Sequence, residues 1–142
     1  MFMGEYHHTI DEKGRIIIPS KIRDILGNDA IATRGLDNCL YIYRLDDFKE
    51  LVLKYKELPN IKDTRNYMRF FLSGAVQIIF DKQGRINIEK RLIDFATLKK
   101  ECVIIGVGDH VEIWDKENWN NFIISNEENF SDIADKLFSP NV

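Results

Sequence analysis

Cysteine, proline and histidine are scarce in this chain: two, three and three among 142 residues. Cys39 and Cys102 are too few for a disulfide framework or a cysteine-rich metal site. His7-His8 have no third ligand at metal-binding spacing. No apolar run approaches the ~18–20 residues that a helix needs to cross a bilayer. The opening Met1-Phe2-Met3-Gly4-Glu5 has the pattern of neither a signal peptide nor a myristoylation site. Phosphate-cradling loops are missing too, since Gly106-Val107-Gly108 lacks the third glycine of a dinucleotide fingerprint. Together these absences lead us to expect a cytoplasmic protein without membrane, cofactor or metal.

What is present can build a core. Hydrophobic residues make up 44% and aromatics 11%, enough for one ordinary domain or two half-domains sharing a core. The net charge of −3 hides an asymmetry. Residues 109–142 hold eight acids against Lys116 and Lys136, which leaves residues 1–108 at +3. A slightly acidic total therefore does not argue against a nucleic-acid partner, because binding follows local charge.

Sliding the chain against itself gives one clear match, at an offset of 70. Thr9-Ile10-Asp11-Glu12-Lys13-Gly14-Arg15-Ile16-Ile17-Ile18 lies over Ile79-Phe80-Asp81-Lys82-Gln83-Gly84-Arg85-Ile86-Asn87-Ile88. At offset 71 the match continues, with Gly35 over Gly106, Tyr43 over Trp114 and Phe48 over Trp119. The chain is an internal duplication.

Each copy predicts the same small β-rich unit. Residues 6–11 and 15–18 read as strands flanking a tight turn, with Gly14 supplying the positive φ. Pro19 opens a short helix with Ile22, Ile25 and Leu26 as its apolar stripe, and Gly27 ends it. Residues 30–34 and 39–44 form a second strand pair. Asp46 caps a helix carrying Phe48, Leu51, Val52, Tyr55 and Leu58, which Pro59 stops. A connector helix over 63–73 puts Tyr67, Phe70 and Phe71 on one side. The second copy predicts strands over 75–81, 85–88, 102–107 and 111–114, with a helix over 89–95. A helix capped by Asp115 buries Trp119, Phe122 and Ile123, and Phe130, Ile133, Ala134 and Leu137 mark a last, acidic amphipathic helix. The resulting division is 5–50 for the first unit, 51–74 for connecting helices, 75–120 for the second unit, and 121–142 for the acidic C-terminal helix.

The stretch Asp11-x-Lys13-Gly14-Arg15-Ile16-x-Ile18-Pro19-x-x-Ile22-Arg23 resembles the AbrB-type swapped-hairpin DNA-binding fold. Two tandem copies, each with an Asp-x-x-x-Arg pair (Asp11/Arg15 and Asp81/Arg85), resemble the MraZ family over nearly the whole chain. That resemblance implies an α+β fold of two AbrB-like hairpin/helix units with pseudo-two-fold symmetry, a small barrel-like core and flanking helices. It further implies a nucleoid-associated regulator of the division and cell-wall gene cluster, its own promoter included. Such a protein binds short direct repeats in double-stranded DNA as a closed homo-oligomeric ring, octamer-like, with no small-molecule substrate. The second copy departs from the pattern, with Glu89 where Pro19 stands and Ile93 where Arg23 stands.

The residues support this chemistry independently of any family. Arg15 and Arg85, held near a turn by a carboxylate four residues back, suit bidentate contact with phosphate or guanine. Lys13, Lys82, Lys21 and Arg23 add positive charge around them, while Asp11, Gly14, Pro19, Asp81 and Gly84 are structural. The Asp–Arg pairs serve equally well as surface salt bridges that steady the turns, each worth about 0–1 kcal/mol. Enzyme chemistry lacks parts: a carboxylate beside an arginine stays ionised and makes a poor general acid. A second reading is an antitoxin-like AbrB/MazE-type module that binds DNA and neutralises a toxin through the acidic tail. The surplus of aromatics on the helices suggests a protomer interface, with Phe70 and Phe71 as candidates.

Overall fold

The computed structural model describes residues 1–139; the last three residues of the C-terminal segment 121–142 lie outside the described residues. The fold is mixed α+β. Its first repeat runs β1 (Glu5–Thr9), β2 (Arg15–Ile17), α1 (Ser20–Leu26), β3 (Ala30–Arg34), β4 (Leu40–Arg44) and α2 (Leu45–Tyr55). After the connector α3 (Lys62–Ser73), the second runs β5 (Val76–Ile78), β6 (Arg85–Asn87), α4 (Lys90–Ala96), β7 (Glu101–Gly106), β8 (Val111–Asp115) and α5 (Lys116–Asn126). A final helix, α6, spans Phe130–Phe138.

Strand pairing departs from the local reading. Each Asp-x-x-Gly-Arg turn closes as expected: Gly14 N–H donates to Asp11 O at 3.0 Å, and Asp11 N–H to Arg15 O at 2.9 Å. Beyond the turn, however, the flanking strands do not pair with each other. β1 pairs with β7, and β2 pairs with β6, both antiparallel. Alternation along a strand tells which face is apolar and not which strand lies alongside, so the sequence left the partner open. Burial decides it. Ile10, Ile16, Ile18, Ile22 and Leu26 of the first repeat share one core cluster with Ile86, Ile88, Leu92 and Ala96 of the second. The buried side chains around the turns thus come from both copies.

Two sheets result, a six-stranded one ordered β1-β7-β8-β4-β3-β5 and the two-stranded ribbon β2-β6. Exchanging each strand for its counterpart in the other repeat turns both orders into themselves. One face of the large sheet (Leu40, Ile42, Ile104, Val111, Ile113) belongs to the shared core. The opposite face carries Cys39, Val103 and Trp114, which pack with Trp119 of α5. Tyr43, Phe48, Tyr67 and Phe71 form a further aromatic stack, with Phe71 ring-centred 5.6–6.3 Å from the other three.

Several helix details correct the expectations. Arg44, not Asp46, occupies the N-cap of α2, because β4 runs directly into the helix; Asp46 and Asp47 fall in the first turn, where their charge complements the helix dipole. Ile25 is exposed, so the apolar stripe of α1 narrows to Ile22 and Leu26. Phe122 is 40% exposed, although it stacks on Trp119 at 5.0 Å. Phe71 is buried within its own chain while Phe70 is exposed, so only Phe70 is open to another molecule. Asp115 does cap α5, accepting from Glu117 N–H at 3.2 Å. At the head of α4, Glu89 adopts φ −63° and ψ 146°, nearly the −53° and 143° of Pro19. That extended geometry is open to any residue, which explains how the proline could be replaced.

Candidate nucleic-acid interface

The two Asp-x-x-x-Arg pairs have the same geometry. Asp11 accepts the Lys13 and Arg15 backbone N–H groups at 2.9 Å through Oδ1, and Arg15 Nε at 2.7 Å through Oδ2. Asp81 accepts Gln83 N–H, Arg85 N–H and Arg85 Nε at 2.9, 2.9 and 2.8 Å. Both carboxyls are held below the usual carboxylate range, first by the backbone N–H of the arginine and then by its side chain, against a partial opposing effect of desolvation. Each aspartate thus stays ionised and ties its arginine by Nε, which leaves the Nη edge of the guanidinium for a ligand.

The ribbon brings these arginines together. Its register sets Arg15 opposite Asn87, Ile16 opposite Ile86, and Ile17 opposite Arg85. Ile16 and Ile86, each 1% exposed, anchor the inner face. Alternation therefore turns Arg15, Ile17, Arg85 and Asn87 to the outer face, with the two turns at opposite ends. Lys13 and Lys82 are exposed beside those turns, so Lys13, Arg15, Lys82 and Arg85 stand against Asp11, Glu12 and Asp81, a local excess of one positive charge. Two strands ~4.8 Å apart, with their side chains, match the ~12 Å width of a DNA major groove.

Lys21 lies exposed on α1. Arg23 has a different setting: it is half-buried, donates from Nη1 to Ile18 O at 3.1 Å, and covers the second turn, where a Cβ on Gly84 would fall on its guanidinium. Ile93, its counterpart, covers the first turn in the same way, 3.2 Å from where a Cβ on Gly14 would stand. Each helix thus packs on the turn of the other repeat, one through an arginine and one through an isoleucine. Pro19, at the N-cap of α1, and the glycines shape these contacts.

Sequence reasoning missed Ile17 and Asn87. A signal was available in Ile16-Ile17-Ile18: three consecutive isoleucines on a strand cannot all face inward. Elsewhere the chemistry is structural. His7 is exposed and paired with Glu5 at 2.8 Å, while His8 is half-buried, the one-out, one-in arrangement that alternation implies. Cys39 and Cys102 are buried, and burial pushes the Cys102 thiol up to about 12 and the Cys39 thiol up as well. Neither is set up as a nucleophile. Among the described residues, no helix is long and apolar enough to cross a membrane.

Tandem α+β repeats that share a two-stranded ribbon define the class of protein by its fold. The sequence model of one family, described as "MraZ protein, putative antitoxin-like", matches residues 1–70 and again 71–141. The chain belongs to the MraZ family. Its two matches abut between residues 70 and 71, inside α3. Among solved structures, the chain is similar to the solution structure of PHS018 from Pyrococcus horikoshii, at 17% identity over 80% of this chain and 88% of that one, with a TM-score of 0.34.

Proposed function

We propose that this protein is a sequence-specific DNA-binding transcriptional regulator that inserts its β2–β6 ribbon into the major groove. One observation carries the reading: Arg15 and Arg85, from different repeats, share one exposed ribbon face, each pinned by an aspartate. Membership of the MraZ family supports a DNA-binding regulator as well. On this reading the two repeats form AbrB-like units related by a pseudo-two-fold axis. The targets are short direct repeats upstream of the division and cell-wall genes, the protein's own included, and the protein works in the cytoplasm on the nucleoid. Neighbouring protomers of a closed ring engage consecutive repeats, and effective concentration multiplies a weak single contact. The protein is not an enzyme.

The test is a gel shift with DNA from immediately upstream of its own gene, against a scrambled duplex of equal length. Arg15→Ala should weaken binding by about 1–3 kcal/mol per protomer and leave circular dichroism unchanged. Affinity should also fall with salt, with a log–log slope near −0.9 per phosphate neutralised. Equal binding of both duplexes, or full affinity in a folded Arg15→Ala, refutes the assignment.

A second reading has its own support. The α6 helix is acidic and leaves Phe130, Leu137 and Phe138 at least 70% exposed. Such a face suits neutralisation of a basic toxin, and recovery of one in stoichiometric amounts in a native-salt pull-down would favour the antitoxin role.

A further inference from the structure

We propose that Ile17 and Asn87 give the ribbon a direction, so that each protein unit reads a base sequence different from its own reverse complement. The inference rests on the reading of the ribbon as the DNA-contacting face. An antiparallel ribbon centred on the Ile16–Ile86 pair has a local two-fold axis through that pair. Arg15 and Arg85 obey it, being the same residue pinned in the same way at 2.7 and 2.8 Å. Positions 17 and 87 break it on the strands themselves, as Glu12/Lys82 and Lys13/Gln83 do at the turns. Arg15 faces Asn87 across the strands, whereas Arg85 faces Ile17.

The two residues have different base chemistry. Asparagine pairs bidentately with the adenine N6/N7 edge, and an apolar side chain packs on the thymine methyl. Arginine in both halves takes guanine O6/N7. One end of the ribbon therefore offers an Arg–Asn pair and the other an Arg–Ile pair, only ~7 Å apart along a strand, within two or three base-pair steps. Fold stability does not call for these choices. Ile17 is 41% exposed although its neighbours Ile16 and Ile18 are buried, so it supplies little to the core. Asparagine is a poor strand former, and Asn87 is exposed with a strand partner on one side only. Its Oδ1 lies over the first turn, 3.2 Å from where a Cβ on Gly14 would stand, and an amide on this open face is suited to a ligand.

The experiment is selection from a duplex library with a randomised 20-bp core, followed by anisotropy titration of the enriched duplexes. The wild-type protein should enrich a motif that is not its own reverse complement. Replacing its A·T pair nearest Asn87 by G·C should weaken binding roughly 5- to 150-fold, and Asn87→Ile should abolish that discrimination. Ile17→Asn makes positions 17 and 87 equivalent while Glu12/Lys82 and Lys13/Gln83 still differ, so it should make the base pairs nearest those two positions two-fold-related. A palindromic wild-type motif overturns the proposal. So does an unchanged motif in both Ile17→Asn and Asn87→Ile, with circular dichroism confirming the fold of each. The Arg15→Ala/Arg85→Ala double variant separates the two levels. If it binds the selected duplexes at full affinity, the DNA-face reading itself fails. If it loses binding while the motifs ignore positions 17 and 87, only the directional inference fails.

Discussion

Substituting alanine at the two turn glycines should have unequal consequences, and the structure says why. Gly14 and Gly84 sit at φ 80° and 78°, so each pays a similar left-handed strain of about 1–2 kcal/mol. Their surroundings differ. A Cβ on Gly14 would stand 2.6 Å from Ile88 O, a backbone atom, and Ile88 N–H donates to Gly14 O at 2.8 Å. Relieving that overlap disturbs a hydrogen bond between the repeats, which adds about 0.5–1.5 kcal/mol. The atoms nearest a Cβ on Gly84 belong to the Arg23 guanidinium, the far end of a flexible side chain, although Gly84 O likewise accepts from Ile18 N–H at 3.0 Å. Arg23 can swing away at the cost of its bond to Ile18 O, roughly 1 kcal/mol for a half-exposed group. Urea unfolding of Gly84→Ala, Arg23→Ala and the double variant should therefore show coupling of about 1 kcal/mol, because alanine at 84 costs less once Arg23 is gone. Gly14→Ala and Arg23→Ala should be additive within about 0.5 kcal/mol. Additivity of the Gly84/Arg23 pair would refute the packing of Arg23 on the second turn.

Three further outcomes follow from other sites. Burial pulls the His110 pKa down, but hydrogen bonds to Glu112 and Asp109, at 3.0 and 2.7 Å, outweigh it and raise the value above 6.5. Its stabilisation is then full below about pH 6.5 and lost as pH rises through the raised folded value. In urea titrations the advantage of wild type over His110→Gln should shrink from pH 6 to pH 9, and a constant difference would contradict this. Cys39 and Cys102 should react slowly with a thiol reagent at pH 8 and stoichiometrically in urea; fast native labelling of either would show that its burial is wrong. If α6 packs against another protomer, Phe130→Ser with Leu137→Ser should lower the mass seen by light scattering without loss of secondary structure, and an unchanged mass would remove α6 from the interface.

Local structure was legible because local chemistry determines it. Asp11 and Asp81 fold back on their own turns, and the burial patterns of residues 11–18 and 81–88 are identical. Asp115 caps α5 because an aspartate just before a helix meets free N–H groups wherever the helix goes. Partnership was not legible. Nothing in residues 5–9 says that they pair with 101–105 and not with 15–17. The C-terminal segment divides into two helices, with 127–129 between them, although its charge reads as one acidic stretch. Arg23 was read by charge alone, whereas its position against a turn 60 residues away follows only from the pairing of β2 with β6.

That pairing also links the duplication to the proposed binding face. In a single-copy unit, a ribbon of this kind would need two identical chains, and every residue on it would occur twice. Here β2 and β6 belong to one chain, so the isoleucines of the inner face can stay matched while the outer face differs. The inner pair, Ile16 and Ile86, is constrained by burial at 1% exposure, where a change of one methylene costs stability. Positions 17 and 87 carry no such constraint, since solvent covers one side of each. Under the proposed DNA-reading role, fusion of the two copies therefore separates the demands of packing, which favour equivalence, from those of recognition, which do not.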